Sequence, residues 1–226
     1  MYSHQPPAYG NSHHHHHGSI HSTHSSRYAR QADYGYQAAP PPGTDPTLWA
    51  YFTGVDTDRS GSITANELQQ ALVNGNWTKF DLDTVKMLMS IFDVDRSGTI
   101  NYNEFAGLWK YIQDWQNVFR HFDRDHSGTI EGHELSEALR SFGYNLSPDL
   151  LRLIEQKYAS APVSGYGPPP GITFDRFVRA CVVVKTLTES FQRHVSLSNF
   201  ATLYVHLWFS LGLIYEQFMS IVLSAP

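Results

Sequence analysis

Three twelve-residue stretches of this sequence place acidic and hydroxyl side chains at the same positions. Each has the form D-x-D-x-S-G-x-I-x-x-x-E, with acidic residues at the first, third and last positions and glycine at the sixth. A calcium ion takes about six to eight oxygen ligands at roughly 2.3–2.6 Å, and one loop of this length can supply most of them. The chemistry that the spacing predicts is therefore binding of Ca²⁺.

The candidate ligands follow from positions one, three, five, seven and twelve of each stretch. In residues 56–67 they are Asp56, Asp58, Ser60, the carbonyl of Ser62, and Glu67. In residues 93–104 they are Asp93, Asp95, Ser97, the carbonyl of Thr99, and Glu104. In residues 123–134 they are Asp123, Asp125, Ser127, the carbonyl of Thr129, and Glu134. The final glutamate of each stretch is expected to offer the ion both of its oxygens.

Two positions separate these stretches from a strict signature and from one another. Serine at position five replaces the usual Asp or Asn, and its neutral hydroxyl is expected to lower the calcium affinity without abolishing binding. Position nine is Thr64, Asn101 and Glu131 in turn, so the third stretch carries a fourth carboxylate and is predicted to bind most tightly. The alternative is that all three are acidic turns between helices and hold no ion.

Helices must position these loops, and an apolar helical run stands on each side of every one, which is the pattern of an EF-hand. The first helix is expected to begin at Pro46, capped by Asp45 or Thr44. Residues 105–122 contain no proline and carry a helical apolar stripe, which predicts a single helix shared by the second and third hands. Residues 73–81 interrupt the helical pattern and separate the first two hands. The predicted fold class is all-α, built from paired EF-hands.

Position eight of each loop predicts how the hands pair. Ile63, Ile100 and Ile130 occupy it and are expected to form short β contacts between neighbouring loops. The first and second hands therefore pair, and the third needs a partner.

A degenerate fourth hand near residues 160–176 supplies that partner. Its entry helix is predicted to start with Ser147 as cap and Pro148 in the first turn, and its exit helix to start near Asp175. Ile172 fits position eight, but the first half of the loop has no acidic residue and Arg176 stands in place of the closing glutamate. We expect this hand to bind no calcium.

The shared helix, the ion-free fourth hand and the segment "FDRFVRACVVVKTLTESFQR" together resemble the penta-EF-hand family. The resemblance covers residues 44–193 and 215–223. It implies a fifth hand that pairs with the fifth hand of a second subunit to form a homodimer or heterodimer. It also implies a non-enzymatic protein whose partners include Pro-rich peptides of membrane-trafficking or repair proteins, and calcium-promoted membrane association.

Residues 194–214, "HVSLSNFATLYVHLWFSLGLI", stand where such proteins have the acidic fifth loop. Because the stretch has no acidic residue, the fifth hand near 194–216 is predicted to be disrupted, and the chain to be a monomer or to associate weakly. Residues 200–214 are shorter than the roughly 20 residues that cross a bilayer. A buried helix, an interfacial or disordered segment and a membrane span are the alternatives.

The origin of that stretch is open to a genetic hypothesis. Val195-Ser196 can be encoded by a splice-donor sequence, so residues 194–214 could come from non-standard splicing or a faulty gene assignment. Transcripts that never carry an acidic loop at this point would contradict the hypothesis.

Residues 1–43 are rich in His, Ser, Tyr and Pro and nearly free of aliphatic side chains, which predicts a disordered tail before a domain at 44–226. The tract at 13–17 is five consecutive histidines, either a flexible zinc or nickel site or a low-complexity run without a specific ion. Cys181 lies in an apolar helix and is expected to be buried and inert. A single cysteine and the lack of a recognisable secretory signal favour the cytosol, or the nucleus.

A formal net charge of −5 argues against a nucleic-acid-binding protein. No Cys/His/Asn arrangement of the protease type surrounds the cysteine, so an enzyme is disfavoured. The main prediction is a calcium sensor and adaptor that exposes an apolar groove for partner peptides when it binds the ion. The alternatives are a regulatory small subunit of a calpain-like protease and a passive calcium buffer.

Overall fold

The computed structural model of the chain describes residues 40–160, 171–197 and 207–225. These ranges contain eight α-helices and, outside them, only isolated β-bridges. The helices are α1 (Pro46–Val55), α2 (Ala65–Ala71), α3 (Leu82–Phe92), α4 (Tyr102–Phe122), α5 (Gly132–Ser141), α6 (Pro148–Tyr158), α7 (Phe174–Leu197) and α8 (Leu207–Ser224). The all-α class predicted from the sequence is confirmed.

Short polar side chains set the start of the first and sixth helices. Asp45, rather than Thr44, caps α1, and its carboxylate accepts hydrogen bonds from the backbone N–H groups of Thr47 and Leu48 at 2.7 and 3.0 Å. The hydroxyl of Ser147 accepts the backbone N–H of Leu150 at 3.3 Å and so caps α6. In both helices proline follows the cap, where its missing N–H has no helical partner to lose.

The single helix predicted between the second and third loops is confirmed as α4. It has 21 residues and begins three residues before the predicted start, because Asn101 caps it with hydrogen bonds from Asn103 and Glu104. It contacts α1, α3, α5 and α7. Phe105 packs edge-to-face against Phe52 of α1, with ring centroids 5.6 Å apart, so this helix lies at the centre of the core.

Backbone bridges join the hands in the predicted pairs. Ile63 and Ile100 exchange two hydrogen bonds at 2.8 and 2.9 Å, and Ile130 and Ile172 do the same. All four side chains are fully buried or nearly so. The fourth hand is therefore the structural partner of the third.

The last helix packs against the body of the chain. Tyr215 shares a hydrogen bond of 2.8 Å with Thr188 of α7, and the carboxylate of Glu216 accepts bonds from the backbone and hydroxyl of Ser147. Met219 and Leu223 are buried. The segment 215–223, which the family resemblance covers, is helical and is part of a longer α8.

Several sequence predictions fall outside the described residues. These are the tail, apart from residues 40–43, its histidine tract, residues 161–170 of the predicted fourth loop, and residues 198–206 of the altered fifth hand. Along the ranges that the structure covers, no helix combines the length and the hydropathy needed to cross a bilayer.

Candidate calcium-binding loops

In each of the three loops, carboxylate oxygens from three residues lie within 4.8 Å of one another. The three sets are Asp56, Asp58 and Glu67; Asp93, Asp95 and Glu104; and Asp123, Asp125 and Glu134. Each first aspartate is the C-cap of the entry helix, and each glutamate is the third residue of the exit helix. The two helices of a hand therefore carry opposite sides of the same cluster.

The closing glutamates also hold the loop backbone. The two oxygens of Glu134 accept the N–H groups of Arg124 and Glu131, at positions two and nine, at 2.9 and 3.0 Å. Glu67 and Glu104 make the equivalent pairs of bonds at 2.8 to 2.9 Å. Because these bonds span the loop, each carboxylate is already positioned beside the cluster.

The first aspartate of each loop accepts backbone N–H groups from positions five and six. For Asp56 these donors are Ser60 and Gly61, both at 2.9 Å. Position six needs a left-handed backbone, and Gly61, Gly98 and Gly128 adopt φ values of 83°, 82° and 78°. Glycine tolerates this conformation because it lacks a Cβ atom, which supports the role assigned to it in the sequence.

Position four is a structural requirement that the sequence analysis missed. Arg59, Arg96 and His126 occupy it with φ values of 58°, 59° and 56°, an uncommon conformation for residues with a side chain. Two of the three are arginines, a residue type that does not favour this conformation, so composition does not mark the position. Only the fixed spacing from the glycine two residues later could have revealed it.

The oxygens expected at positions five and seven converge as the calcium interpretation requires. The hydroxyl of Ser60 lies 2.9 Å from the carbonyl oxygen of Ser62, and Ser127 lies at the same distance from the carbonyl of Thr129. In the second loop the hydroxyl of Ser97 lies 3.1 Å from the carbonyl oxygen of Thr99. Each serine hydroxyl donates a hydrogen bond to the carbonyl at position seven. With an ion bound in the loop, the hydroxyl oxygen and the carbonyl oxygen would both coordinate the ion instead.

Burial and like charge make these clusters suitable for a divalent cation. Glu134, Asp56 and Asp123 are only 1 to 5% exposed, although each carries an ionisable carboxyl. Burial raises the pKa of Asp123, and the nearby charge of Glu134 adds to that rise. Carboxylates held this close repel one another, and a bound cation relieves the repulsion. The residues present therefore fit Ca²⁺.

Hydrogen bonds keep other members of the clusters ionised. The backbone N–H of Thr64, with the hydroxyls of Thr64 and Thr57, lowers the pKa of Glu67 to about 2. Bonds from Ser97 and Ser127 lower the pKa of Asp95 and Asp125 respectively. These groups are anions at neutral pH and are ready to coordinate a metal.

Four other side chains lie outside the three carboxylate clusters. His126 and His133 are exposed, at positions of the third loop that offer no ligand. Cys181 is buried on α7, and burial raises the pKa of its thiol, which leaves it protonated and unreactive. Glu131 is exposed and is not among the three converging carboxylates of its loop, so it would reach an ion only through water.

The fourth hand has no such cluster among the residues that the structure describes. Its closing position is Arg176, whose guanidinium donates to the carbonyl of Ala159 at 2.7 Å. In the sequence the first half of this loop has no acidic residue, and the absence of calcium there stays a prediction.

Comparison with known proteins agrees with this geometry. The family model described as an EF-hand domain pair matches residues 48–110, and one described as an EF-hand domain matches residues 114–143. Peflin of Xenopus laevis is 42% identical over 173 residues, which are 74% of this chain and 59% of that protein. Sorcin of Schistosoma japonicum is 49% identical over 143 residues, which are 63% of this chain and 80% of the sorcin.

A solved structure shares the fold as well. A homologue of programmed cell death 6 protein from Leishmania major Friedlin superposes with a TM-score of 0.54 at 25% identity, covering 76% of this chain and 93% of that one. The chain spans between 54 and 59% of the length of the peflins that it matches, but about four fifths of the sorcins. It is a calcium-binding EF-hand protein, and it belongs to the penta-EF-hand family.

Proposed function

We propose that this protein is a calcium sensor and adaptor, in which ions bound at three loops change the positions of helices. The proposed ligands are Asp56, Asp58, Ser60, Ser62 and Glu67; Asp93, Asp95, Ser97, Thr99 and Glu104; and Asp123, Asp125, Ser127, Thr129 and Glu134. The observation that carries the proposal is the preformed cluster of three carboxylates in each loop. Loop geometry of this kind corresponds to dissociation constants of roughly 10⁻⁷–10⁻⁵ M.

The shared helix gives these ions a common target. Asn101 of the second loop caps α4 at one end, and Asp123 of the third loop caps it at the other. An ion that pulls Glu104 into the second loop, or Asp123 into the third, acts on α4 in either case. Binding at either loop therefore supports movement of α4 relative to the helices packed on it.

Aromatic side chains on α4 and on the helices next to it support an apolar groove as the site of partner binding. Trp109 is half-buried and lies 4.9 Å, centroid to centroid, from the exposed ring of Tyr51, while Trp115 lies 6.1 Å from the partly exposed ring of Phe142. Aromatic-lined grooves are the surfaces that Pro-rich segments in polyproline II conformation recognise. We infer that calcium binding separates the rings of these two pairs and opens a groove between them for a Pro-rich partner peptide.

The cellular setting follows from family membership and is part of the proposal. We propose a cytoplasmic protein, with the nucleus also accessible, that acts in membrane trafficking and associates with membranes when calcium rises. A peptide partner that is itself membrane-bound would produce that association without a lipid site in this chain.

Calorimetric titration of the full chain, alongside fluorescence of a dye that reports exposed apolar surface, tests the proposal. We expect two or three calcium sites and a rise in dye fluorescence at saturating calcium. Sites without any rise would identify a buffer and contradict the sensor. No detectable site at millimolar calcium would contradict the proposed ligands themselves.

A further inference from the structure

An internal cation joins the two ends of the fourth loop, of which the structure describes residues 159–160 and 171–176. Ala159 is the C-cap of α6, and its N–H donates to the carbonyl of Glu155 at 2.7 Å, as the first aspartates of the other loops do to their entry helices. Arg176, at the closing position, donates from Nη1 to the carbonyl of that same Ala159 at 2.7 Å. The guanidinium thus joins the first and last residues of the loop, which is the connection that calcium makes elsewhere.

The same guanidinium reaches the second hand. Its Nη2 lies 3.3 Å from Oδ2 of Asp81, the N-cap of α3, and both side chains are less than one-third exposed. Asp175 is 1% exposed, and its carboxylate accepts the N–H of Asp81 at 2.6 Å. The backbone N–H of Asp175 donates to Asn74 at 3.1 Å. We call these four residues the polar junction.

The fourth loop also touches a proposed calcium ligand of the third. Ile172 and Ile130 are bridged by two backbone hydrogen bonds, and a Cβ atom on Gly171 would lie 2.4 Å from the hydroxyl of Thr129. The backbone carbonyl of Thr129 is the ligand proposed at position seven. Displacement of residues 171–172 would therefore move that oxygen.

We propose that Arg176 replaces calcium in the fourth hand and thereby positions the carbonyl of Thr129 for the ion of the third loop. The positive charge is part of the chain, so the connection between Arg176 and Ala159 does not depend on the calcium concentration. The inference rests on the proposed function to the extent that the third loop must bind calcium. The proposal makes Arg176 a positioning residue for the third loop, although Arg176 is distant from that loop in sequence and does not itself contact the ion.

The test uses two backgrounds of the full chain that isolate single loops. E67Q/E104Q leaves the third loop intact, and E104Q/E134Q leaves the first. Introducing Arg176→Gln is expected to weaken calcium binding to the third loop by on the order of fivefold, the lower range of a typical coupling between sites. The first loop should be unaffected. Calorimetry measures both affinities, and circular dichroism without calcium checks that each variant is folded.

Two further variants make the result specific. Arg152→Gln removes an exposed arginine of α6 that pairs only locally with Asp149, and it should change neither affinity. Arg176→Lys keeps the charge but lacks the planar guanidinium that reaches both the carbonyl of Ala159 and the carboxylate of Asp81. It should therefore lower the calcium affinity of the third loop by less than Arg176→Gln does. It also serves if the Gln variant does not fold.

The possible failures can be told apart. No binding in the third-loop background with Arg176 intact would refute the proposed third site, and the positioning role with it. Binding there that Arg176→Gln leaves unchanged, or weakens equally in the first loop, would overturn only the positioning role.

Discussion

At the scale of single residues, each closing glutamate has two tasks in its loop. In the structure its two oxygens accept backbone N–H groups at positions two and nine, and in the proposed complex the same oxygens bind the ion. Calcium must therefore compete with hydrogen bonds that hold the loop together. Because Gln has one acceptor oxygen and no charge, Glu→Gln can keep one of the two backbone hydrogen bonds while it removes the charged ligand.

Replacement of Glu134 by Gln should abolish tight binding at the third loop while the fold persists. Losing a charged ligand costs about 2–3 kcal/mol, or roughly 30- to 150-fold in affinity. Calorimetry should show one fewer high-affinity site. Glu189→Gln is the matched control, since its carboxylate is on α7 and pairs with Lys185 outside every loop. An unchanged number of sites in Glu134→Gln would contradict the proposed ligand set.

The residue at position nine is predicted to set the order of affinities. Glu131→Thr gives the third loop the residue found at this position in the first, and should weaken its binding about two- to fivefold. A charge at an exposed site contributes up to about 1 kcal/mol, which sets that range. The reciprocal change, Thr64→Glu, should strengthen the first loop. Titrations in the single-loop backgrounds measure both effects. A third loop that is weaker than the first before mutation would contradict the prediction.

At the scale of helices and loops, sequence spacing predicted the features that the loop motif repeats and missed contacts outside the motif. The helix starts at Asp45 and Ser147 and the shared helix follow from caps and periodicity within a few residues, and the isoleucine bridges follow from position eight of each loop. The polar junction could not be predicted, because Asp81 and Asp175 are 94 positions apart and neither belongs to a calcium motif. The left-handed residues at position four escaped because two of the three are arginines, a type that does not favour this conformation.

The contact between the third and fourth loops gives a prediction at this scale. A methyl group on Gly171 would lie 2.4 and 2.6 Å from side-chain atoms of Thr129, so Gly171→Ala should overpack the bridge between the loops. The expected cost is about 1–3 kcal/mol in the free energy of unfolding. Calcium affinity of the third loop should fall as well, because Thr129 carries a proposed ligand.

A second glycine provides the control for this change. A Cβ atom on Gly75 would have its nearest neighbour at 4.0 Å, so Gly75→Ala should be tolerated. Urea unfolding without calcium and calorimetry with it give the two measurements. Equal stabilities for the two variants would show that the close approach at Gly171 is relaxed at little cost.

At the scale of the whole molecule, the contacts of α8 bear on whether the chain is a monomer or a dimer. In this family the fifth hand is expected to join two subunits, yet residues 215–223 lie against α6 and α7 of the same chain. Phe191 of α7 contacts the rings of both Tyr215 and Phe218, with centroids 5.3 and 5.6 Å apart. Lys157 of α6 donates to the carbonyl of Ala225 at 2.5 Å. The helix has partners without a second subunit.

We therefore predict that the protein is a monomer at micromolar concentration, with and without calcium. The sequence lacks the acidic fifth loop that would pair across subunits, and a stable dimer buries about 800 Å² on each partner. On residues 215–225, the part of the C-terminal segment whose side chains the structure describes, the large exposed apolar side chains are Ile221 and Val222, at 73 and 36% exposure. Sedimentation velocity should give a single species near the chain mass of 25.6 kDa.

A pair of substitutions on α8 distinguishes a monomer from a dimer that uses this helix. Ile221→Glu changes an outward-facing side chain and should leave both sedimentation and stability unaltered if the chain is monomeric. Met219→Ala empties a fully buried position, and should cost about 2–5 kcal/mol in the free energy of unfolding. A stable dimer that Ile221→Glu dissociates would mean that the outer face of α8 retains the family's subunit contact despite the missing loop.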